Sequence, residues 1–255
     1  MTTTTGALTY RQYLRLDQLL AQQLPHGAAQ GTDELLFIAV HQVHELWFKL
    51  LLDDLGTARD LMLAGEPQQA RLALRRCREI ERTLLSTIEL LDTLAPGAFL
   101  AFRSVLGGAS GAQSAQFHEV ELLSGATATH RLDALDWLTP LERARLERRA
   151  IEPTLWDGFV SLLAAAGFPV LTVEQRRTAL ATAARDRRSP ELGELAEALL
   201  DHDQAWSLWR ARHLLVVERQ IGRRPGTGGS SGADQLAARS GERLYPELWE
   251  CRSRL

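Results

Sequence analysis

Phe37-Ile-Ala-Val-His41-Gln-Val-His44-Glu45-Leu-Trp47-Phe48-Lys49 sets two histidines, aromatic rings and charges inside an otherwise apolar helical run. Buried polar groups are costly without partners, so a ligand bound in the core explains this concentration better than packing alone. On a helix, His41, His44 and Glu45 fall at i, i+3 and i+4 and can converge from one face. That geometry suits a non-haem metal. Carboxylate-bridged metal bundles, however, carry Glu-x-x-His on two helices with further glutamates facing them, and no second matching helix is legible. The competing reading is a satisfied core histidine.

Outward from this stretch, helical signals dominate and strand signals are almost absent. Leu8 to Leu24, Asp33 to Ala64, Pro67 to Leu94, Pro153 to Ala166, Val173 to Arg185 and Pro190 to Gln220 all place apolar residues three and four apart. Thr139-Pro140-Leu141-Glu142 reads as a further helix start. Breaks fall at Gly65-Glu66-Pro67, Ala95-Pro96-Gly97, Gly107 to Gly111 and Gly222 to Gly232, the residues that turns require. Long helices joined by mostly short loops predict an all-α antiparallel bundle. No internal repeat is visible.

At 255 residues and 45% hydrophobic content the chain can bury a sizeable core. The formal net charge is −3, Lys49 is the sole lysine, and the arginines are spread among acids. No basic stripe that would track nucleic acid is present. Arginines near acids over Arg71 to Arg82 and Glu142 to Arg149 read as solvated helix faces. Cys77 and Cys251 are far apart and outside any CxxC pair, so they are expected to be reduced and uninvolved in metal binding. The N-terminus lacks a basic segment followed by an apolar stretch, and no apolar run reaches membrane-spanning length. A soluble cytoplasmic protein without nucleic-acid or membrane partners is expected.

Two further constellations bear on chemistry. Trp206-Ser-Leu-Trp209-Arg-Ala-Arg212-His213 lies on a helix lined by aromatic and aliphatic residues. One neutral imidazole in apolar surroundings is what a haem iron needs as a proximal ligand, although a core histidine reads the same way and CxxCH is absent. Pro225-Gly-Thr227-Gly-Gly-Ser-Ser-Gly232 offers permissive backbone and three hydroxyls. It lacks the lysine and preceding strand of a P-loop, and reads equally as a flexible linker.

In order along the chain, these segments resemble the tryptophan 2,3-dioxygenase family. The resemblance spans nearly the whole chain. It rests on Tyr10-Arg-Gln-Tyr13-Leu-Arg-Leu-Asp17, Asp33-Glu-Leu-Leu-Phe37, His41-Gln42, Glu45-Leu-Trp-Phe-Lys49, Phe102-Arg103, Ser110-Gly111, Trp209-Arg-x-Arg-His213, Gly226 to Gly232 and Pro246-Glu-Leu-Trp249. It implies a single domain over residues 1–255, with haem b (iron protoporphyrin IX) held between helices and O2 as co-substrate. His213 then matches the proximal iron ligand, and His41 the distal histidine that contacts the indole N–H. That N–H is too weakly acidic for easy removal, so a positioning hydrogen bond is the expected role of His41. Phe37 and Phe99 match the rings that line the indole. Arg103 matches the arginine that binds the substrate carboxylate, its planar fork suited to two parallel hydrogen bonds. Ser110 and Thr227 complete the amino-acid cradle, and the Gly-rich loop is expected to close over substrate. Tyr10 and Tyr13 match tyrosines that reach a neighbouring subunit's site, so residues 1–30 are expected to cross between subunits of a homotetramer.

The chain departs from the family pattern at several points. Gly111-Ala112-Gln113-Ser114 stands for Gly-Phe-Gln-Ser, Gln116-Phe117-His118 for Gln-Phe-Arg, His44 for a tyrosine, and Ala233-Asp234-Gln235 for an aromatic after the loop. The stretch between Phe117 and Trp206 is shorter than in typical members, and His118 reads as a surface residue. The resemblance implies 2,3-dioxygenation of L-tryptophan to N-formylkynurenine. The departures motivate one alternative, a monooxygenase of tryptophan or of a substituted (for example β-methyl) tryptophan giving a 2-oxindole or hydroxylated product. A non-catalytic haem sensor is a remoter one.

Overall fold

Thr139, Thr154 and Thr172 each cap a helix reciprocally. The threonine hydroxyl accepts the backbone N–H three residues on, while the Glu142, Asp157 or Gln175 side chain accepts the threonine N–H in return. Pro67, Pro96, Pro140 and Pro246 occupy first helical turns, where the missing N–H costs nothing. These signals punctuate a computed structural model that describes residues 7–26, 32–126, 135–185, 190–229 and 231–254. Its helices are Tyr10–Tyr13 (α1), Leu16–Leu19 (α2), Thr32–Leu63 (α3), Pro67–Ile88 (α4), Pro96–Arg103 (α5), Ala115–Ser124 (α6), Pro140–Ile151 (α7), Leu155–Ala165 (α8), Val173–Ala183 (α9), Pro190–Ile221 (α10), Ala233–Ser240 (α11) and Pro246–Cys251 (α12). No strand occurs among the described residues, so the expected all-α bundle is the observed fold.

The two longest helices, α3 and α10, both pack on α4, which runs back along α3 after the short turn at Ala64–Glu66. Helices α6 and α8 cover another side of α3. Leu51, Leu55 and Met62 of α3, Leu74 and Leu84 of α4, Phe159 of α8, and Leu195, Leu199 and Trp206 of α10 form one continuous core. Gly158 permits the close α3–α8 approach, since a Cβ there would stand 3.1 Å from that of Met62. Cys77 and Cys251 are both free and buried.

Four expectations differ from what is observed. Leu8 to Leu24 is not one helix but two single turns, broken at Arg15 in the left-handed region with φ 52°. Its apolar side chains point to solvent, so no packing stabilises a longer helix. Pro67 to Leu94 is helical only to Ile88 and tightens into a 3₁₀ turn over Glu89–Thr93. The arginines of α7 do not all face water: Arg145 and Arg149 lie 3.0 and 3.8 Å from the carboxylate of buried Glu119 on α6. Finally, α3 is long and apolar enough to cross a membrane by length and composition. Polar residues punctuate it too often for one unbroken apolar run, and here it packs against α4, α6 and α8.

Candidate functional site

On α3, Phe37, His41, His44 and Phe48 follow one another by four, three and four residues and so share a face. His41 Nδ1 lies 2.7 Å from the carbonyl of Phe37, and His44 Nδ1 lies 2.8 Å from that of Val40. Each ring therefore carries its proton on Nδ1 and presents the lone pair of Nε2. Burial lowers the pKa of both rings, against the raising effect of those carbonyls, so both are neutral near pH 7.

The Phe37 ring sits 4.1 Å from that of His41, 5.7 Å from Phe99 and 5.5 Å from Phe102. Phe99 and Phe102 meet edge to face at 5.3 Å. This three-ring box joins α3 to α5. Gln220, near the end of α10, helps place α5: its amide donates to the carbonyls of Leu91 and Leu94 at 3.0 and 2.9 Å, in the segment that leads into α5. Arg212 adds an ion pair to Asp92. Phe102 carries no role in the family pattern, and its three-residue spacing from Phe99 is the sequence signal that places both rings on one face of α5. Gln220 had no signal beyond being a polar residue on an apolar face.

One turn beyond Phe99, Arg103 donates through Nη2 to the carbonyl of Pro225, and the Thr227 hydroxyl donates to the carbonyl of Ala109. Ser110 caps the 3₁₀ turn Gly111–Gln113, its Oγ accepting the Ala112 N–H at 3.3 Å. At Gly228 a Cβ would stand 2.8 Å from the Ser110 Cβ, so only glycine allows the loop to lie against this turn. The Gly-rich segment is therefore docked rather than a free linker, and it gathers Arg103, Ser110 and Thr227 into one place. Ser230 lies outside the described residues.

His213 is half-buried on α10 with its ring 5.1 Å from that of Trp209. It makes no hydrogen bond among the described residues. Burial, reinforced by His41 and His44, holds its pKa down at about 4, so it is a neutral imidazole with an available lone pair at pH 7.

The convergence of His41, His44 and Glu45 does not form. His44 turns to Trp209, and Glu45 accepts from the Gln116 amide at 2.6 Å. Among the described residues no group of three His, Cys, Asp or Glu could hold a metal ion. His118 is not on the surface: it is 6% exposed, with Nε2 3.0 Å from the Ala112 carbonyl. Tyr10 and Tyr13 stand away from the site, 75% and 72% exposed. A polar cleft of about 380 Å³ bounded by Glu45, Lys49, Gln116 and Arg145 offers no aromatic ring.

The fold and the gathered residues describe an all-helical protein that joins histidines, aromatic rings and an arginine, and the family comparison assigns it to the haem oxidoreductases. The family model described as tryptophan 2,3-dioxygenase matches residues 1–137 and 165–255, and the chain belongs to that family. The unmatched interval contains all of α7 and most of α8. Similar proteins named tryptophan 2,3-dioxygenase come from a Nocardioides species (48% identical, over 97% of this chain and 95% of the relative) and from Herpetosiphon aurantiacus (38%, over 98% and 99%). Another comes from an Anaeromyxobacter species (37%, over 98% and 97%). Nothing in these relatives' names favours the one-oxygen or the sensor alternative.

Proposed function

We propose that this chain is a haem b-dependent tryptophan 2,3-dioxygenase that adds both atoms of dioxygen across the indole C2–C3 bond of L-tryptophan, giving N-formylkynurenine. The observation that carries this reading is His41: a neutral ring whose Nδ1 is committed to the Phe37 carbonyl 2.7 Å away, leaving Nε2 as an acceptor beside an aromatic box.

The residues fit the cofactor. A haem needs a deprotonated, unengaged imidazole in apolar surroundings, and His213 answers that description. Bound there, haem iron would supply the activation of dioxygen. Each protein group then has a physical task. His41 Nε2 accepts the indole N–H and fixes the ring's height and rotation without taking its proton. Phe37 and Phe99 cover the indole with apolar area. Arg103, with four N–H groups beyond the one given to Pro225, can hold the substrate carboxylate. Thr227, whose proton is committed to Ala109, keeps lone pairs for the ammonium, and Ser110 keeps its hydroxyl proton for the carboxylate. The docked loop excludes water from this end of the substrate.

We further propose a single domain over residues 1–255, a cytoplasmic homotetramer and an N-terminal segment of residues 1–30 that docks on a neighbouring subunit. Exposed Leu8, Tyr10, Tyr13, Leu20 and Leu24 support the last point, as an apolar set without cover in its own chain. The deciding experiment is mass spectrometry of the product formed by reduced, haem-loaded protein from L-tryptophan under oxygen-18 gas. Two labelled atoms are expected; one labelled atom, or no product, would overturn the assignment.

A further inference from the structure

Trp209 lies one helical turn before His213 on α10, and its indole N–H donates to His44 Nε2 on α3 at 3.4 Å. The same His44 ring is fixed at its other nitrogen by the Val40 carbonyl at 2.8 Å. Among rings, Trp209 stacks on Trp206 at 5.6 Å and 17°, and meets Phe117 at 5.6 Å and Phe48 at 6.0 Å. It also meets the His213 ring, at 5.1 Å with the planes 32° apart.

The two stacked tryptophans on this helix differ in the fate of their indole N–H groups. Trp206, fully buried, leaves its indole N–H without a hydrogen bond among the described residues, whereas the N–H of Trp209 is directed across the helix interface to a side chain. Packing alone therefore tolerates an unbonded N–H in this stack. The acceptor opposite Trp209 is one of the positions where this chain departs from the family pattern, a histidine in place of tyrosine. Groups that touch a metal-binding histidine without touching the metal orient its ring and tune its bond.

We infer that His44 and Trp209 are positioning residues for His213: the hydrogen bond between them fixes the rotation of the Trp209 indole, which in turn fixes the plane of the His213 ring. The bond also links α3 to α10 one helical turn from His41 on the first and from His213 on the second, both towards the Phe37–Ile221 end. This inference rests on the reading of His213 as the iron ligand.

The test is made on the reduced, haem-loaded protein, with the iron–imidazole stretching band by resonance Raman and haem loss to excess apomyoglobin as readouts. His44→Phe keeps a ring of similar size and removes the acceptor; Trp209→Phe removes the donor; His44→Gln restores an acceptor. Both phenylalanine variants are expected to move the band in the same direction and to speed haem loss by about tenfold, the lower end of what such outer partners contribute. The double variant is expected to do no more than either single one, and His44→Gln to return most of the effect. A merely structural role would lower the unfolding midpoint with the band unmoved. That outcome, or additive effects in the double variant, would overturn the inference. His213→Ala separates the two levels. If the band survives in it, the ligand assignment itself is wrong; if the band is lost there while His44→Phe leaves it unchanged, only the positioning role falls.

Discussion

His202 Nδ1 lies 2.5 Å from Glu81 Oε1 in the middle of the bundle, with each side chain only 1% exposed. Ser124 Oγ completes the chain, 2.8 Å from His202 Nε2. The order serine, histidine, carboxylate has the composition of a nucleophilic triad, but no substrate can reach a hydroxyl sealed in the core. Its task is to tie α6, α10 and α4 together through hydrogen-bonded side chains, with Glu81 Oε2 the one oxygen of the three residues left without a hydrogen bond among the described residues. His202→Leu strands both partners and is expected to cost about 3–5 kcal/mol of unfolding free energy. Urea denaturation checks this, and a loss under about 1 kcal/mol would show that the chain is not needed for cohesion.

Arg103→Leu removes the carboxylate clamp and the tie to the Pro225 carbonyl. Tryptophan binding is expected to weaken by about 2–5 kcal/mol, which calorimetry would read as at least a tens-fold rise in Kd. The haem spectrum should be unaffected, because Arg103 does not contact His213. Unchanged tryptophan affinity would place the carboxylate elsewhere.

Gly228→Ala puts a methyl group 2.8 Å from the Ser110 Cβ. The loop must lift, at a cost of about 1–3 kcal/mol if the site is otherwise well packed. KM for tryptophan is expected to rise while the unfolding midpoint and haem content hold. A fall in haem content with normal KM would mean that the loop supports the cofactor rather than the substrate.

The haem-free protein should lose stability as pH falls from about 6.5. His41, His44 and His213 all have pKa values below the ordinary histidine range when folded, chiefly through burial. The unfolded chain therefore takes up protons first, and each proton it gains favours unfolding. The contribution of His213 grows down to about pH 4, where the folded ring protonates too, and then stops increasing. Urea midpoints between pH 7.5 and 5 check this, and His213→Phe should show a shallower decline. An equal or steeper decline in that variant would mean that His213 is not the depressed group.

Much of the fold was legible because α3 and α10 announce themselves twice, by apolar spacing and by the glycines and prolines that bound them. The observed boundaries of both helices, Thr32–Leu63 and Pro190–Ile221, fall within a residue of those expected from Asp33 to Ala64 and from Pro190 to Gln220. The short helices α5, α6, α11 and α12 leave no periodic signal in the sequence. At six to ten residues each, they hold too few turns for periodicity to speak, and they depend on docking to longer neighbours. Leu8 to Leu24 failed the other way, since helical spacing without a surface to bury against does not make a helix.

For the site, the sequence alone determined the residue types and their local geometry. Four-residue spacing makes Phe37 the carbonyl partner of His41 and puts Phe99 and Arg103 on one face of α5, because such relations are internal to a helix. Which elements meet depends on the packing of the folded chain. Glu45 and His44, side by side in the chain, face different partners, Gln116 and Trp209. Thr227 reaches Ala109 across 118 residues of sequence, and His118 is drawn into the core. These outcomes depend on how three long helices cross and where a glycine lets a loop approach, and a contact between distant segments leaves no periodic trace in either one.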